Sequence, residues 1–585
     1  MSSATDAPEQ DQLVPDELIP HKNLPPLIYR AMPEALPWRK MIGPSILLAG
    51  LSLGSGEFIL WPYITFKSGF VFFWACLLGV ITQYFVNMEI ERYTLVTGES
   101  AITGFCRLSK QWAWIMLLMN IIPWAWPGWA TGAGSMISWT VFGPEPTATV
   151  ELEAKSIASL ESMTLPAQVL LNTSENKISW KGEMTAAQAD VLKTEIQSSP
   201  QATQITAAID SLLNHHQEGI NLSYSARYNE ILGILGLFVV GIVLTAGPVV
   251  YNTVEKIQFV LVGIVFVCAI LLGFYLIKPY AVEAMFTGLL NIGEMPDAAT
   301  GLGTMTLLGA LAFAGAGGTM NLSQSNFIMD KGYGMGKYIG RITSPLTGQE
   351  EPISQTGYHF PHDAENMARW RGWWRGANME HFLSFFLTCF GCILLLTLIA
   401  YSMFYTADGE LVAGADRYGS GMNFIWGQAS IIEAQFGRFP QYIFMLMGAI
   451  ILLTTELGVL DATARISADI VKVNYLRNND RFTPSRLYFL FLWGEILLGS
   501  AILLYSRIDP TFKQPLVLLT ISAASNGGVM FLYSIVLLYL NSKILPRSIS
   551  ITPLRFIIMI WACAFFGYFT LQAIQIEIWP FLTRG

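Results

Sequence analysis

The chain has 585 residues, 53% of them hydrophobic and only 13% charged, with a formal net charge of -8 and a mean hydropathy of +0.46. Soluble domains carry about 25% charged residues, 35 Phe, 22 Tyr and 17 Trp exclude a disordered polymer, and the negative balance argues against a nucleic-acid partner. Six cysteines in this length cannot make a disulfide framework, so a polytopic membrane protein remains.

Residues 1–40 are polar and contain six prolines from Pro15 to Pro37, which predicts a mobile tail without the short apolar core of a signal peptide. Apolar runs long enough to cross a bilayer then recur near 43–66, 70–90, 112–141, 230–248, 256–278, 302–328, 379–404, 441–471, 485–506, 514–542 and 553–576. Each must be helical, because an unpaired backbone cannot face lipid. The predicted fold is therefore all-α and polytopic: spans 1–3 within 41–142, spans 4–6 within 230–330 and spans 7–11 within 378–585.

Two polar insertions separate these groups. Residues 143–229 predict a small external α+β domain, with a hairpin from Val169–Asn172 and Lys177–Lys181 and a helix opened by a Thr185-Ala-Ala-Gln188 capping box. Residues 331–377 predict a cytoplasmic loop ending in Arg369-Trp-Arg-Gly-Trp-Trp-Arg375, an interfacial helix suited to the headgroup layer. With the N-terminus in the cytoplasm, Lys22, Arg30, Arg39, Lys40, the 331–377 cations, Lys472, Arg477 and Lys543 all fall inside. The protein is then a multi-pass cell-membrane protein whose C-terminus lies outside.

Function in a membrane protein is sought where a span breaks the rules of a passive helix. Span 1 reads Gly54-Ser55-Gly56-Glu57 near its middle, where a charged carboxylate costs about 2.5–3.5 kcal/mol. Glu57 must face protein or water, be protonated, or meet a cation, and Gly54 and Gly56 predict an unwound stretch. Span 6 repeats the violation in Gly315-Ala-Gly-Gly318-Thr319-Met320-Asn321, followed by Ser323, Gln324, Ser325 and Asn326. Glycine here also serves close helix packing. Two interrupted helices, each opening a set of five, form the layout of inverted-repeat transporters, whose broken helices expose backbone carbonyls and half-helix dipoles at the midplane.

Glu456 and Asp461 in span 8, Glu495 in span 9 and Asn526 in span 10 are candidates for coupling or gating, each also readable as a satisfied packing group. Cys389-Phe-Gly-Cys392 has thiol-pair spacing but sits in an apolar helix, His359-Phe-Pro-His362-Asp363 is loop-borne and not a closed metal set, and His215-His216 lie in the external domain. Phosphate-loop, hydrolase-triad and zinc-protease motifs are absent from the sequence, so no enzyme activity is expected.

Glu91-Arg92-Tyr-Thr-Leu-Val-Thr97-Gly98-Glu99, continuing to Cys106-Arg107, resembles the cytoplasmic segment between helices 2 and 3 of the Nramp divalent-metal transporters. Gly43-Pro44 and the register of Leu307–Asn321 resemble that family too. The resemblance covers most of the membrane part and implies a LeuT-like inverted repeat (five plus five helices plus one) and secondary transport. The family's first-helix Asp-Pro-Gly-Asn matches Gly54-Ser55-Gly56-Glu57, and its sixth-helix Met-Pro-His-Asn matches Gly318-Thr319-Met320-Asn321. The metal-binding aspartate and the soft thioether are therefore missing from their own positions, and span 3 lacks an acid or histidine for the family's proton route. Gly54-Ser-Gly-Glu-Phe-Ile-Leu-Trp-Pro is also similar to the first-helix break of the sodium-coupled amino-acid and neurotransmitter symporters.

The expectation is a secondary transporter that moves a divalent cation by alternating access, without a cofactor and with H⁺ or Na⁺ as the coupling ion. Glu57 is its metal ligand, completed by Gly54, Ser55, Gly56, Gly318, Thr319, Met320, Asn321 and Gln324. The alternatives are a sodium-coupled symporter of an organic solute and, less favoured, a receptor with the external domain as sensor. The partners are the bilayer and a small inorganic cation, with the oligomeric state left open.

Overall fold

A computed structural model of the protein describes residues 12–162, 165, 169–173, 176–181, 186–197, 201–213, 221–349, 353–354, 356–508 and 515–579. Among the described residues nine helices are long and apolar enough to cross a membrane: Pro44–Ser68 (span 1), Phe73–Thr97 (span 2), Asn229–Ala246 (span 4), Val250–Leu276 (span 5), Ala364–Phe404 (span 7), Arg438–Asn474 (span 8), Pro484–Ile508 (span 9), Leu519–Ile544 (span 10) and Pro553–Ile576 (span 11). The remaining two apolar runs are helices in two pieces. Span 3 consists of Gln111–Ile121 and Gly128–Phe142, and span 6 of Thr304–Ala312 and Gly318–Lys331.

The interruptions differ from the expected pair. Span 1 is wound throughout, and in place of an unwound stretch it carries a π-helical segment at Leu53–Leu60. The backbone there stays helical, and Gly54 and Gly56 lie where a Cβ would meet Thr455 and the Phe313 carbonyl of neighbouring spans. The second break falls in span 3, where Pro123 and Pro127 remove two backbone donors and separate the two pieces.

The N-terminal residues from Gln12 onward are packed against the membrane domain, which corrects the expectation of a mobile tail. Strand β1 (Ile28–Tyr29) pairs in parallel with Tyr358–His359, the sixth strand in chain order. Val14, Ile19 and Leu27 are buried together beside Ile544. The Met32 amide donates to Asn366 Oδ1 (2.7 Å), and Arg107 donates to the Pro20 carbonyl (3.2 Å). A proline-rich segment loses little entropy on docking, and its carbonyls accept from Arg107, Arg369 and Trp373 on the helices beneath.

This docking also corrects the interfacial helix. Residues 364–381 are the first turns of span 7 itself. Trp370 and Trp373 are buried (4% and 1% exposed), and Trp373 Nε1 donates to the Pro33 carbonyl at 2.9 Å. The Trp374 ring lies between the guanidinium groups of Arg92 and Arg555, at 4.1 and 4.9 Å. The indoles thus hold the N-terminal segment and the ends of spans 2 and 11.

The insertion after span 3 is a four-stranded antiparallel sheet of β2 (Glu145–Glu151), β3 (Val169–Asn172), β4 (Lys177–Lys181) and β5 (Asn221–Ser225) in the order β3-β4-β2-β5. Helices Ala154–Glu161, Ala186–Ile196 and Ala202–Leu213 cover it, with Leu160, Ile178, Trp180, Leu192, Ile196 and Ile209 as its own core. Thr185, His215 and His216 lie outside the described residues. The segment resembling the helix 2–3 elbow owes its residues to structure: Arg107 donates to both Glu99 oxygens (2.7 and 2.6 Å), and Ser100 caps the short helix Ala101–Leu108.

Candidate functional site at the break of span 6

Span 6 stops at Ala312 and resumes at Gly318, leaving helical carbonyls and amides without partners inside the bilayer. Gln83 of span 2 answers both ends. Its Nε2 donates to the Leu311 and Ala312 carbonyls (3.2 and 2.8 Å), and its Oε1 accepts from the Gly317 amide (3.4 Å). Gly317 and Gly318 take positive φ (74° and 51°), and a Cβ on Gly318 would lie 1.7 Å from Asn526 Oδ1 of span 10. A Cβ on Gly56 would lie 1.4 Å from the Phe313 carbonyl oxygen. The break of span 6 and the π-helical segment of span 1 are therefore in backbone contact.

Polar side chains surround the restart of the helix. Thr319 Oγ1 accepts from Trp124 Nε1 at 2.9 Å, which brings the break of span 3 onto that of span 6. Asn321 Nδ2 donates to the Tyr533 hydroxyl (3.1 Å) and to Gln83 Oε1 (3.3 Å). Asn321 Oδ1 and Asn526 Oδ1 are buried without a hydrogen-bond partner. Met320 is fully buried, and its carbonyl accepts from Ser323 Oγ at 2.6 Å.

Glu57 is fully buried on the same stretch of span 1 as Gly56. Ser52 Oγ donates to its Oε1 at 2.7 Å, Cys389 of span 7 is a second hydrogen-bonding neighbour, and Oε2 has no partner. The acid thus points into protein and away from acyl chains, with one open lone-pair set of the kind a cation or a proton takes up. Its polar contacts run to spans 1 and 7, while Thr319 and Asn321 contact spans 2, 3 and 10. Gly54 donates its amide to Thr455 Oγ1 (2.9 Å). The Ser55 side chain lies outside the described part.

Gln324 belongs to a different cluster. Its Nε2 donates to Ser45 Oγ (3.1 Å) and Glu91 Oε1 (2.8 Å), and Ser45 also bonds Glu380 and His381 of span 7. Asp461 is an ion-pair partner: Arg465 donates to both its oxygens (2.9 Å each), bonds Asp330 and leaves Asp461 Oδ1 to accept also from the Tyr488 hydroxyl at 2.8 Å. Glu456 of span 8 and Glu495 of span 9 each keep one buried oxygen without a hydrogen bond. A cavity of about 80 Å³ lies at the other end of span 6, lined by Asn326, Asp330, Arg465 and Asp469. Among the described residues no three His, Cys, Asp or Glu side chains stand at metal-holding spacing. A cation at Glu57 would therefore meet one carboxylate with the Ser52 hydroxyl and the Cys389 thiol beside it.

Sequence reasoning missed Gln83, Trp124 and Tyr533, as well as Glu91, Glu380 and His381. Gln83 carried a signal, being an amide in an otherwise apolar run, and so did Pro123 and Pro127 around Trp124. Tyr533 carried none.

The architecture is a LeuT-like, largely helical fold. No protein-family profile matches the sequence, and no curated protein matches it significantly. Solved structures with this fold include mutants of the manganese transporter of Eremococcus coleocola. A histidine-to-alanine form matches with a TM-score of 0.54 at 10% identity, over 92% of this chain and 87% of that one. A glutamate-to-alanine form matches with a TM-score of 0.54 at 11% identity over the same shares. The same transporter in complex with an aromatic bis-isothiourea compound matches with a TM-score of 0.51 at 10% identity, over 91% and 85%. The fold expected from the Nramp resemblance is the fold observed.

Proposed function

We infer that this protein is a secondary transporter that carries a divalent metal cation across the membrane by alternating access. The observation that carries the reading is the break of span 6 in backbone contact with span 1 at Gly56, with Asn321 Oδ1 and Asn526 Oδ1 buried without hydrogen-bond partners on the span 6 side and Glu57 Oε2 likewise on span 1. Leaving three such acceptors unsatisfied costs about 1–3 kcal/mol each unless a ligand meets them. A carboxylate with hydroxyl and amide oxygens nearby suits a hard cation such as Mg²⁺, Mn²⁺ or Ca²⁺, and the Cys389 thiol beside Glu57 adds one soft donor. The two-piece spans give the alternation a mechanical basis, since half-helices can tilt about residues 313–317 without breaking a continuous ladder. The face carrying the N-terminal segment, rich in Lys and Arg, is assigned to the cytoplasm on the positive-inside rule. The neighbours named as manganese transporters support a metal cargo by analogy of fold.

The test is cation uptake by purified protein in liposomes, with Mn²⁺ and Mg²⁺ offered separately under proton and sodium gradients. Glu57→Gln is expected to abolish uptake while the variant elutes as a folded protein. Undiminished uptake by that variant removes Glu57 from the site, and Na⁺-driven uptake of an organic solute without metal flux favours the symporter alternative.

A further inference from the structure

The His359-Phe-Pro-His362 motif is used by none of the transport machinery, and the fold gives it a geometry its sequence does not show. The two rings stand nearly perpendicular (78°), and their Nε2 atoms are 3.0 Å apart. His359 is fully buried and His362 is exposed, so the pair leads from the interior to the surface.

The outer nitrogens are both anchored. His359 Nδ1 lies 3.2 Å from the Val96 carbonyl, which can only accept, so that nitrogen carries the proton and Nε2 carries the lone pair. His362 Nδ1 lies 3.3 Å from Ser548 Oγ. A hydroxyl both donates and accepts, so Ser548 can serve His362 with its proton on either nitrogen; placing it on Nδ1, by exchange with solvent, gives up the hydrogen bond between the two rings. In that tautomer both Nε2 atoms present lone pairs to the gap between the rings, and each ring is held from behind by an oxygen, as metal-binding imidazoles are. Two metal–nitrogen bonds of about 2.0–2.1 Å at a tetrahedral angle need nitrogens roughly 3.3 Å apart, a small opening of the observed gap. No proton is released, because both rings are neutral before and after.

We propose that His359 and His362 form a two-imidazole binding site for a borderline first-row cation such as Zn²⁺ or Cu²⁺, separate from the transport site. Water completes the coordination, since Asp363 spends both oxygens on Asn366, as N-cap of the helix Ala364–His381 (2.9 and 2.6 Å). Nitrogen ligands discriminate against Mg²⁺ and Ca²⁺. The site ties three parts of one face together: the strand that pairs with β1, the end of span 2 at Val96, and the turn before span 11 at Ser548. Metal bound there is expected to stiffen that face by mass action.

The experiment is Zn²⁺ binding by equilibrium dialysis and Co²⁺ visible absorption on the purified, tag-free full-length protein, with His362→Gln and Glu57→Gln as variants. His362 is exposed, so its replacement leaves the packing of His359 in place. The wild type and Glu57→Gln are expected to bind one Zn²⁺ equivalent that His362→Gln binds at least about tenfold more weakly, with tetrahedral Co²⁺ bands and no competition from excess Mg²⁺. Zn²⁺ should raise the melting temperature of the wild type and not of His362→Gln. Equal Zn²⁺ affinity in wild type and His362→Gln overturns the site, as does a wild type that binds no such equivalent. Loss of uptake in Glu57→Gln with this binding retained separates the site from the transport reading.

Discussion

Trp124 Nε1 donates to Thr319 Oγ1 across 2.9 Å, joining the break of span 3 to the first turn of the second half of span 6. The same indole stacks on Trp129 (centroids 5.5 Å) and Phe313 (5.7 Å), so one side chain fixes both interruptions by ring packing and a directed bond. Trp124→Phe keeps the stacking and loses the bond, worth about 1 kcal/mol. Its initial uptake rate is expected to fall several-fold, Thr319→Val to match it, and the double variant to be no worse than either. Additive losses in that cycle would show that the two residues act separately.

Gln83 holds the two ends of the broken helix with one amide. Gln83→Leu is close in size but leaves the Leu311 and Ala312 carbonyls and the Gly317 amide without this partner. The expected loss is about 1–3 kcal/mol of stability, read as a lower melting temperature in detergent. A variant as stable as the wild type would mean that water replaces the amide at no cost.

Gly56→Ala is expected to abolish folded protein or transport, because the new methyl would lie 1.4 Å from a backbone carbonyl that cannot swing aside. Gly263→Ala in span 5 is the control: nothing lies within 4 Å of a Cβ there, and the variant should express and transport as the wild type does. Size-exclusion profiles of the two variants decide the comparison.

Cys106, in the short helix after span 2, is fully buried, and burial followed by the nearby Asp469 carboxylate pushes its thiol up to about 12. A thiol raised in the folded state stays neutral where the unfolded thiol has ionised. Its contribution is therefore complete below the ordinary value near 9 and is lost as pH rises from there toward about 12. Alkylation of a variant retaining only Cys106 should be negligible at pH 8 and rise steeply in denaturant. Rapid labelling of the folded protein would contradict the burial.

The N-terminal segment is held by the Met32 amide on Asn366 and by Arg369 on the Met32 carbonyl (2.9 Å). Asn366→Ala combined with Arg369→Ala should speed trypsin cleavage at Lys22 and Arg30 several-fold, with the membrane domain intact on gels. Unchanged cleavage would show that the strand pairing with Tyr358–His359 suffices.

The positions of the apolar runs, the hairpin of the insertion and the break in span 6 were legible in the chain, because each depends on neighbours a few residues apart. Hydropathy over about 20 residues, alternation over four or five, and three glycines in four positions are local signals. The glycines of span 1 carried the same local signal and misled, since Gly56 is there to admit the Phe313 carbonyl from a span 257 residues away in sequence. The docking of the N-terminal segment was likewise invisible, as its partners Asn366 and Trp373 are more than 300 residues distant.

Composition and periodicity by themselves determined that this is a membrane protein of eleven helical runs with a buried acid in the first. Only the tertiary structure decided that span 3 and not span 1 shares the interruption with span 6, which side chain fills each break, and that Gln324 leaves Glu57 for Glu91 and Ser45. The physical reason is that an unpaired carbonyl or amide inside a bilayer must be met by whatever group packing brings to it. That group is chosen by the crossing of helices, which no window of neighbouring residues records.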